Sequence, residues 1–245
     1  MNSASPGSQI LRETRGHVAT ITLNRPEKHN AILPEMFDQF GAQLQAIAGE
    51  ADHIHVVILR GAGRSFCAGL DLHDVVGAVD LAWLRQGSRT LELFSRLPQI
   101  VIAAVHGYCF TGGLELALAA DLIVTCESAT FGDTHARLGL VPMWGGSQRL
   151  PRRVGTSKAI ELMTTGRRIG GREAERIGLA NQCLPDVEFE AGIDRLVEEI
   201  LANSFHGNSS IKRLVHETDG MRLSDGIAHE QFRSPGSQRR DPFQS

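Results

Sequence analysis

The chain has 245 residues, of which 42% are hydrophobic and 22% charged, and its formal net charge is −3. This composition fits one large α/β domain and gives no electrostatic reason to expect a nucleic acid or an anionic membrane as a partner. The four cysteines are scattered and form no C-x-x-C pair: Cys67, Cys109, Cys126 and Cys183. We therefore expect neither a disulfide scaffold nor a metal site, and we expect a cytoplasmic location.

Strand and helix patterns alternate through the first half of the chain. Residues 9–13 and 17–23 predict a hairpin, and Pro34 opens a helix with apolar residues at helical spacing. Buried strands are predicted at residues 55–59, 100–105 and 122–126, with an amphipathic helix at residues 80–97. Such alternation implies crossover connections and a largely parallel sheet.

Helical patterns dominate the rest of the chain, at residues 157–164, 172–177, 187–203, 210–217 and 224–231. We therefore expect an α/β core over residues 1–190 and a helical region over residues 191–245. The apolar stretch 100–120 is long enough to suggest a membrane span. It contains His106, Glu115 and three glycines, so a strand, a glycine turn and a buried helix explain it better.

A glycine-rich turn, HGYCFTGG at residues 106–113, separates the predicted strand 100–105 from a helix starting at Leu114. Backbone N–H groups at a helix N-terminus lack intrahelical partners, and glycine lets a ligand approach them. The turn is therefore a candidate for binding an anion or a developing oxyanion, with tight helix–strand packing as the alternative. The Lys and Ser or Thr of a phosphate-binding loop are absent, and no G-x-G-x-x-G follows a strand.

Glu115 stands in the sequence GGLELALAA, which predicts a helix that is apolar on most sides. A carboxyl group in that position is costly unless it is paired or used. Burial would raise its pKa toward a range that is useful for proton transfer. The alternative is an exposed glutamate that complements the dipole of the helix.

Two loops add further candidates. RSFCAGLDL (residues 64–72) follows a buried strand, where α/β proteins bind ligands, although Asp71 as a cap of the next helix is the alternative. His135, in the loop after strand 122–126, can act as an acid or base near neutral pH or have only a structural role. The sequence lacks a G-x-S-x-G nucleophile elbow and an H-E-x-x-H motif, which disfavours serine hydrolases and metalloproteases.

In their order and spacing, several segments over about residues 10–185 resemble the enoyl-CoA hydratase/isomerase (crotonase) superfamily. The matching segments are LNRPEKHNA (23–31), SFCAGLDL (65–72), AVHGY (104–108), TGGLELA (111–117), FG (131–132), LGLVP (138–142), GGSQRL (145–150) and RVG (153–155). The resemblance implies an α/β fold, a spiral of ββα turns, with a helical C-terminal region that forms a homotrimer or a dimer of trimers. It also implies an acyl-CoA substrate and no separate cofactor, because coenzyme A arrives as part of the thioester.

The resemblance also implies roles for individual residues. The backbone N–H groups of Leu70 and Gly112 would hold the thioester oxygen in an oxyanion hole. Glu115 matches the first of two glutamates with which hydratases of the superfamily add water to a double bond. The implied CoA- or substrate-binding residues are Lys28, Ala68, Gly69, Leu70, Asp71, Leu72, Gly113 and Pro142.

The sequence departs from the family pattern at two places. His135 replaces the second glutamate, and after Glu230 the tail is short, with Arg239 and Arg240 matching the family's basic ending only loosely. Imidazole can do acid–base work, so we predict an enoyl-CoA hydratase of lyase type in which Glu115 and His135 share the proton transfers. The alternatives are another thioester-enolate reaction (decarboxylation, hydrolysis, retro-aldol cleavage or isomerisation) and a non-catalytic acyl-CoA-binding protein.

Overall fold

The computed structural model describes residues 8–72 and 81–236, and its main feature is a six-stranded sheet. The strands β1 (Ile10–Arg15) and β2 (Val18–Leu23) form the predicted antiparallel hairpin. Four further strands extend the sheet in parallel: β3 (Val56–Gly61), β4 (Ile100–Val105), β6 (Leu122–Cys126) and β9 (Gln182–Leu184). The order of strands across the sheet is β1-β2-β3-β4-β6-β9. The largely parallel sheet expected from the sequence is therefore confirmed.

A second sheet has three short strands, β5 (Tyr108–Phe110), β7 (Thr130–Gly132) and β8 (Ile169–Gly170). The chain passes from β4 into β5 at Gly107 (φ +55°), where a Cβ atom would lie 2.0 Å from the carbonyl oxygen of Arg64. Only glycine fits this corner, which turns the chain from the first sheet to the second. The sequence patterns missed these strands and β9, because two or three residues are too few to display an alternation.

The helix that carries Glu115 lies inside the protein. After α1 (Pro34–Ala48) and α2 (Leu81–Ser95), the chain forms α3 (Gly112–Leu118), whose seven residues are all buried. It begins at Gly112, two residues before the predicted start, because the glycine pair itself adopts helical structure. The apolar residues around α3 explain why the stretch 100–120 has the composition of a membrane span, yet no helix among the described residues is both long and apolar enough to cross a bilayer.

The remaining helices are α4 (Gly146–Val154), α5 (Thr156–Thr165), α6 (Gly171–Arg176), α7 (Phe189–Leu201), α8 (Phe205–Thr218) and α9 (Leu223–Arg233). The sequence analysis missed α4, since its glycine start and internal Pro151 indicate a break rather than a helix. It also placed the start of α8 five residues too late. The Oγ atom of Ser204 accepts the N–H of Gly207 and caps α8 at that earlier point.

The C-terminal helices are joined to the core through a buried lysine on α8. Lys212 donates to the carbonyl oxygen of Gln99 at 2.9 Å, and its Nζ atom lies 2.7 Å from Oδ2 of Asp121. The last described strand ends at Leu184, and helices make up most of the described chain beyond it. A domain boundary at residue 190 stays a prediction, and Arg239 and Arg240 lie outside the described residues.

Candidate active site

Glu115 is held in place by the loop before α4. Its Oε1 atom accepts the backbone N–H groups of Trp144 and Gly146, both at 2.8 Å, and the residue is 2% exposed. Burial raises the pKa of this carboxyl, although the hydrogen bond from Gly146, the nearby His135 and the hydrogen bond from Trp144 all lower it. The alternative of an exposed glutamate at the helix dipole is therefore wrong. With Oε1 occupied by two donors, Oε2 is the oxygen that can carry a proton.

His135 is brought to Glu115 by an aspartate in its own loop. The Nδ1 atom of His135 lies 2.7 Å from Oδ1 of Asp133, and the same oxygen accepts the backbone N–H of His135 at 3.0 Å. Because a carboxylate only accepts hydrogen bonds, Nδ1 carries a hydrogen and the Nε2 atom is turned toward Glu115. Nε2 lies 3.6 Å from Oε2 of Glu115. That separation is too long for a direct hydrogen bond but lets one water oxygen contact both atoms.

The resemblance assigns an oxyanion hole to the backbone N–H groups of Leu70 and Gly112, and the structure brings the two segments that carry them into contact. Gly69 has φ +99°, and a Cβ atom on it would lie 3.3 Å from the backbone nitrogen of Gly112, so the two segments touch. Gly112 is the first residue of α3, and its N–H therefore has no intrahelical partner. Among the described residues, no acceptor forms a hydrogen bond with the backbone N–H of Leu70 or Gly112.

The turn that precedes Gly112 is strained. Thr111 has φ +51° and ψ −112°, a conformation that a β-branched residue rarely adopts. Its N–H donates to the carbonyl oxygen of Gly132 at 2.9 Å, and its Oγ1 atom lies 2.6 Å from Oγ1 of Thr134. These two bonds hold the turn and join the start of α3 to the loop that carries His135.

The second glycine of the pair has a packing role. A Cβ atom on Gly113 would lie 2.3 Å from the carbonyl oxygen of Cys67, so no larger residue fits there. The packing explanation therefore applies to Gly113, and the binding of an oxyanion by the N–H of Gly112 stays a prediction.

The predicted CoA-binding segments lie side by side. The N–H of Ala68 donates to the carbonyl oxygen of His29 at 3.0 Å, which places the exposed Lys28 next to the segment 68–72. Within that segment, Leu72 is half-buried. The Cβ atom of Pro142 lies 3.3 Å from a Cβ atom placed on Gly146, whose N–H binds Glu115. Contacts of all these residues with CoA stay predictions.

Asp71, in the same segment, forms an ion pair with another residue. Its Oδ2 atom lies 3.1 Å from NH1 of Arg25, and both side chains are buried. In the described structure its carboxylate therefore helps to join the segment 68–72 to the loop at Arg25.

A metal centre is not formed by the acidic, histidine and cysteine side chains that the structure describes, since no group of three or more has a suitable arrangement. The four cysteines are buried free thiols. Burial raises the pKa of Cys67 to about 12, which keeps its thiol protonated. The acidic and histidine side chains in contact with one another at the site are Glu115, His135 and Asp133.

Comparison with known proteins identifies the family of this fold. The family model described as enoyl-CoA hydratase/isomerase matches residues 13–239. The chain belongs to the enoyl-CoA hydratase/isomerase family. A Bacillus subtilis protein assigned as an enoyl-CoA hydratase/isomerase is 38% identical over 230 residues, which are 92% of this chain and 88% of the relative. The expected superfamily is thus confirmed.

Solved structures of the same family have the same fold. The crystal structure of an enoyl-CoA hydratase from Bacillus anthracis matches with a TM-score of 0.88 and 34% identity, covering 92% of this chain and 89% of that one. A Thermobifida fusca protein assigned as an enoyl-CoA hydratase, in complex with acetoacetyl-CoA, matches with a TM-score of 0.85 and 27% identity, covering 91% and 92%. The expected crotonase fold is therefore confirmed.

The sequence analysis predicted Glu115 and His135, which the structure brings together, but it did not predict the residues that hold them. Asp133 orients His135, and the backbone of Trp144 and Gly146 holds Glu115. The spacing D-x-H was a usable signal for the first, because a carboxylate two residues from a histidine often bonds its ring. For Trp144, nothing in the local sequence points to Glu115.

Proposed function

We propose that the protein adds water across the α,β double bond of a 2-enoyl-CoA thioester. The observation that carries the proposal is the pair formed by Oε2 of Glu115 and Nε2 of His135, 3.6 Å apart and next to the start of α3. Relatives assigned as enoyl-CoA hydratases, one of them bound to acetoacetyl-CoA, support an acyl-CoA substrate.

The thioester oxygen accepts hydrogen bonds from the N–H groups of Leu70 and Gly112. As water adds to the β-carbon, negative charge moves onto that oxygen, and two aligned donors stabilise it more strongly than they stabilise the uncharged carbonyl. The N-terminal end of α3 adds a favourable partial positive charge at the same place. The backbone thus lowers the barrier to forming the enolate.

His135 and Glu115 divide the proton transfers of the reaction. Water between them loses a proton to Nε2 of His135 while its oxygen bonds to the β-carbon. Glu115 delivers the proton on Oε2 to the α-carbon, which completes the addition of one water molecule. The raised pKa of Glu115 favours the protonated carboxyl that this step requires. The proton on His135 then returns to Glu115, and both groups are restored.

The hydration of crotonyl-CoA, with the product followed by mass spectrometry, tests this function. We expect the wild-type protein to give a product heavier by one water molecule. Glu115→Gln and His135→Ala should each lower kcat by about 10²–10⁴-fold, the usual contribution of one acid or base. Glu198→Gln, the same change at an exposed position on α7, is the matched control and should retain activity.

A screen of other acyl-CoA thioesters, again with mass spectrometry of the product, separates the alternatives, because crotonyl-CoA has neither a carboxylate to lose nor a β-hydroxyl group for retro-aldol cleavage. Hydrolysis releases free CoA, decarboxylation and retro-aldol cleavage shorten the acyl group, and isomerisation leaves the mass unchanged. A wild-type protein that binds acyl-CoA thioesters but converts none of them would indicate a non-catalytic binding protein and contradict the proposal.

We also propose that the protein assembles as a homotrimer or a dimer of trimers. The support is an apolar surface on α8 and α9, defined by Ile211, Val215, Leu223, Ile227 and Phe232, whose members are 49% to 88% exposed. Exposed apolar groups at this density favour burial against another protein surface. A cytoplasmic location is part of the same proposal, and the four free thiols support a reducing compartment.

A further inference from the structure

Trp144 occupies the space between two helices beside the candidate oxyanion hole. Its side chain is buried, with 3% of the residue exposed. A Cβ atom placed on Gly112 would lie 2.5 Å from its Cζ3 atom, and one placed on Gly87 of α2 would lie 2.6 Å from its Nε1 atom. The indole therefore fills the gap from α2 to the start of α3, where the donor N–H of Gly112 lies.

Other aromatic rings hold the indole in this position. Its centroid lies 4.7 Å from the ring of Phe37 and 5.5 Å from that of Trp83, and both contacts are edge to face. Among the described residues, no side chain or carbonyl accepts a hydrogen bond from Nε1, so packing rather than a polar contact places the ring. With helices at two of its edges and two aromatic rings packed on it, the buried indole is held in this position.

The backbone of the same residue binds the catalytic carboxyl. The N–H of Trp144 donates to Oε1 of Glu115 at 2.8 Å, so the side chain that starts there lies beside the path from Gly112 to Glu115. An acyl group whose thioester oxygen is bound at Gly112 must place its α- and β-carbons within reach of Oε2. Because the indole lies against Gly112 and its own backbone binds Glu115, carbons beyond the β-position that continue along this line would meet the indole.

We infer that Trp144 closes the acyl end of the site and restricts it to short acyl groups, of about the size of a crotonyl group. This inference rests on the proposed function, because it takes the acyl chain to run from Gly112 toward Glu115. Extra methylene groups would need the volume that the indole occupies. Trp144 would thus be a specificity-determining residue, acting by exclusion.

Kinetics on two substrates test the inference. For the wild-type protein, we expect kcat/KM for 2-octenoyl-CoA to be at least about tenfold lower than for crotonyl-CoA. Trp144→Ala should raise the ratio of octenoyl to crotonyl kcat/KM by about 10–100-fold, and Trp144→Phe should raise it less, because its ring is smaller. Met143→Ala, on the neighbouring and partly exposed residue, is the control and should leave the ratio unchanged.

A binding measurement separates this inference from the proposed reaction. Butyryl-CoA and octanoyl-CoA cannot be hydrated, so their dissociation constants can be measured by calorimetry. The wild-type protein should bind butyryl-CoA more tightly, and Trp144→Ala should bind octanoyl-CoA more tightly. If that preference is found without any hydration, the proposed function fails and the inference stands. A wild-type protein that prefers the longer thioester overturns the inference, as does an unchanged binding ratio in a folded variant. If Trp144→Ala does not fold, the same binding ratio measured on Trp144→Phe tests the inference.

Discussion

The Nδ1 atom of His135 lies 2.7 Å from Oδ1 of Asp133, and this contact determines which nitrogen of the ring faces Glu115. The aspartate also accepts the backbone N–H of His135 at 3.0 Å, so it holds both the ring and the loop. Asp133 is buried and orients a neighbouring base without reaching the reacting atoms itself. It is a positioning residue in the proposed reaction.

Asp133→Asn should lower kcat by about 10²-fold or more while KM changes little, because the amide can donate to Nδ1 and turn the other tautomer toward Glu115. Rates of crotonyl-CoA hydration measure the effect, with Asp194→Asn on the exposed side of α7 as the control for charge. A structural role alone would lower thermal stability but leave the kcat of the folded variant near that of the wild type.

Restoring the glutamate of the family at position 135 should not by itself restore a hydratase pair. His135→Glu would place a third carboxyl group between Asp133 and Glu115, and like charges at such distances raise one another's pKa. We expect Asp133→Asn combined with His135→Glu to be roughly tenfold more active than His135→Glu alone. Parallel kcat measurements on both variants check this, and equal rates would contradict the proposed coupling.

The donor N–H of Gly112 can be tested with a pair of substitutions. Alanine is not an innocuous replacement, because its Cβ atom would lie 2.5 Å from Cζ3 of Trp144. Proline adds a Cβ atom at the same place, removes the N–H and also restricts Thr111, because a residue before proline favours extended backbone rather than φ +51° and ψ −112°. We expect Gly112→Pro to lose about 10²-fold more in kcat than Gly112→Ala. Circular dichroism must show that both are folded, and equal kcat values would exclude this donor.

The raised pKa of Glu115 predicts a dependence of stability on pH. The folded state holds this proton more tightly than the unfolded state does, so the protonated carboxyl stabilises the folded protein. This stabilisation is complete below the ordinary pKa of 4.5 and is lost as the pH rises through the higher pKa of the folded state. Glu115→Gln lacks this loss, and its amide oxygen can still accept from Trp144 and Gly146. Its unfolding free energy relative to wild type should therefore increase with pH over that window.

Urea denaturation at several pH values measures this difference. Glu198→Gln serves again as the control, since its exposed side chain should give a difference that does not change with pH. A difference for Glu115→Gln that is constant across the window would show that burial does not shift the titration of this carboxyl.

The assembly is tested at the apolar surface of α8 and α9. Light scattering should give a mass about three or six times the 26.6 kDa of one chain. The double change Leu223→Glu and Phe232→Glu should dissociate the assembly, because it places charge where burial is expected. Val187→Glu, at a residue that is 95% exposed before α7, is the control and should leave the mass unchanged. A monomer at micromolar concentration contradicts the proposed trimer.

The spacing of apolar residues along the sequence predicted the fold best. The alternation of apolar runs predicted β4, β6 and the helix after Pro34, and the isolated polar residue in an apolar helix marked Glu115. In contrast, β8 has only two residues, and α4 contains Pro151, so neither has a pattern that local rules detect. Both are held by contacts with segments distant in sequence.

The same distinction applies to the site. His135 and the Gly112 turn were predicted from residue type, order and the family resemblance, all of which a sequence displays directly. The position of Trp144 depends on Gly87 and Phe37, which come from other helices, and no short segment contains that information. The contact between Thr111 and Thr134 was hidden for the same reason, since two loops must meet before it exists.

The proposed oxyanion donors belong to the backbone, and this would make the site tolerant to mutation. Any residue except proline at position 70 supplies the same N–H, whereas position 69 requires a residue that accepts φ +99° beside Phe110 and Gly112. Genetic drift can therefore replace the side chains around the acyl group without removing the donors of the reaction. A lineage of such proteins can change its substrate one residue at a time while its enolate chemistry persists.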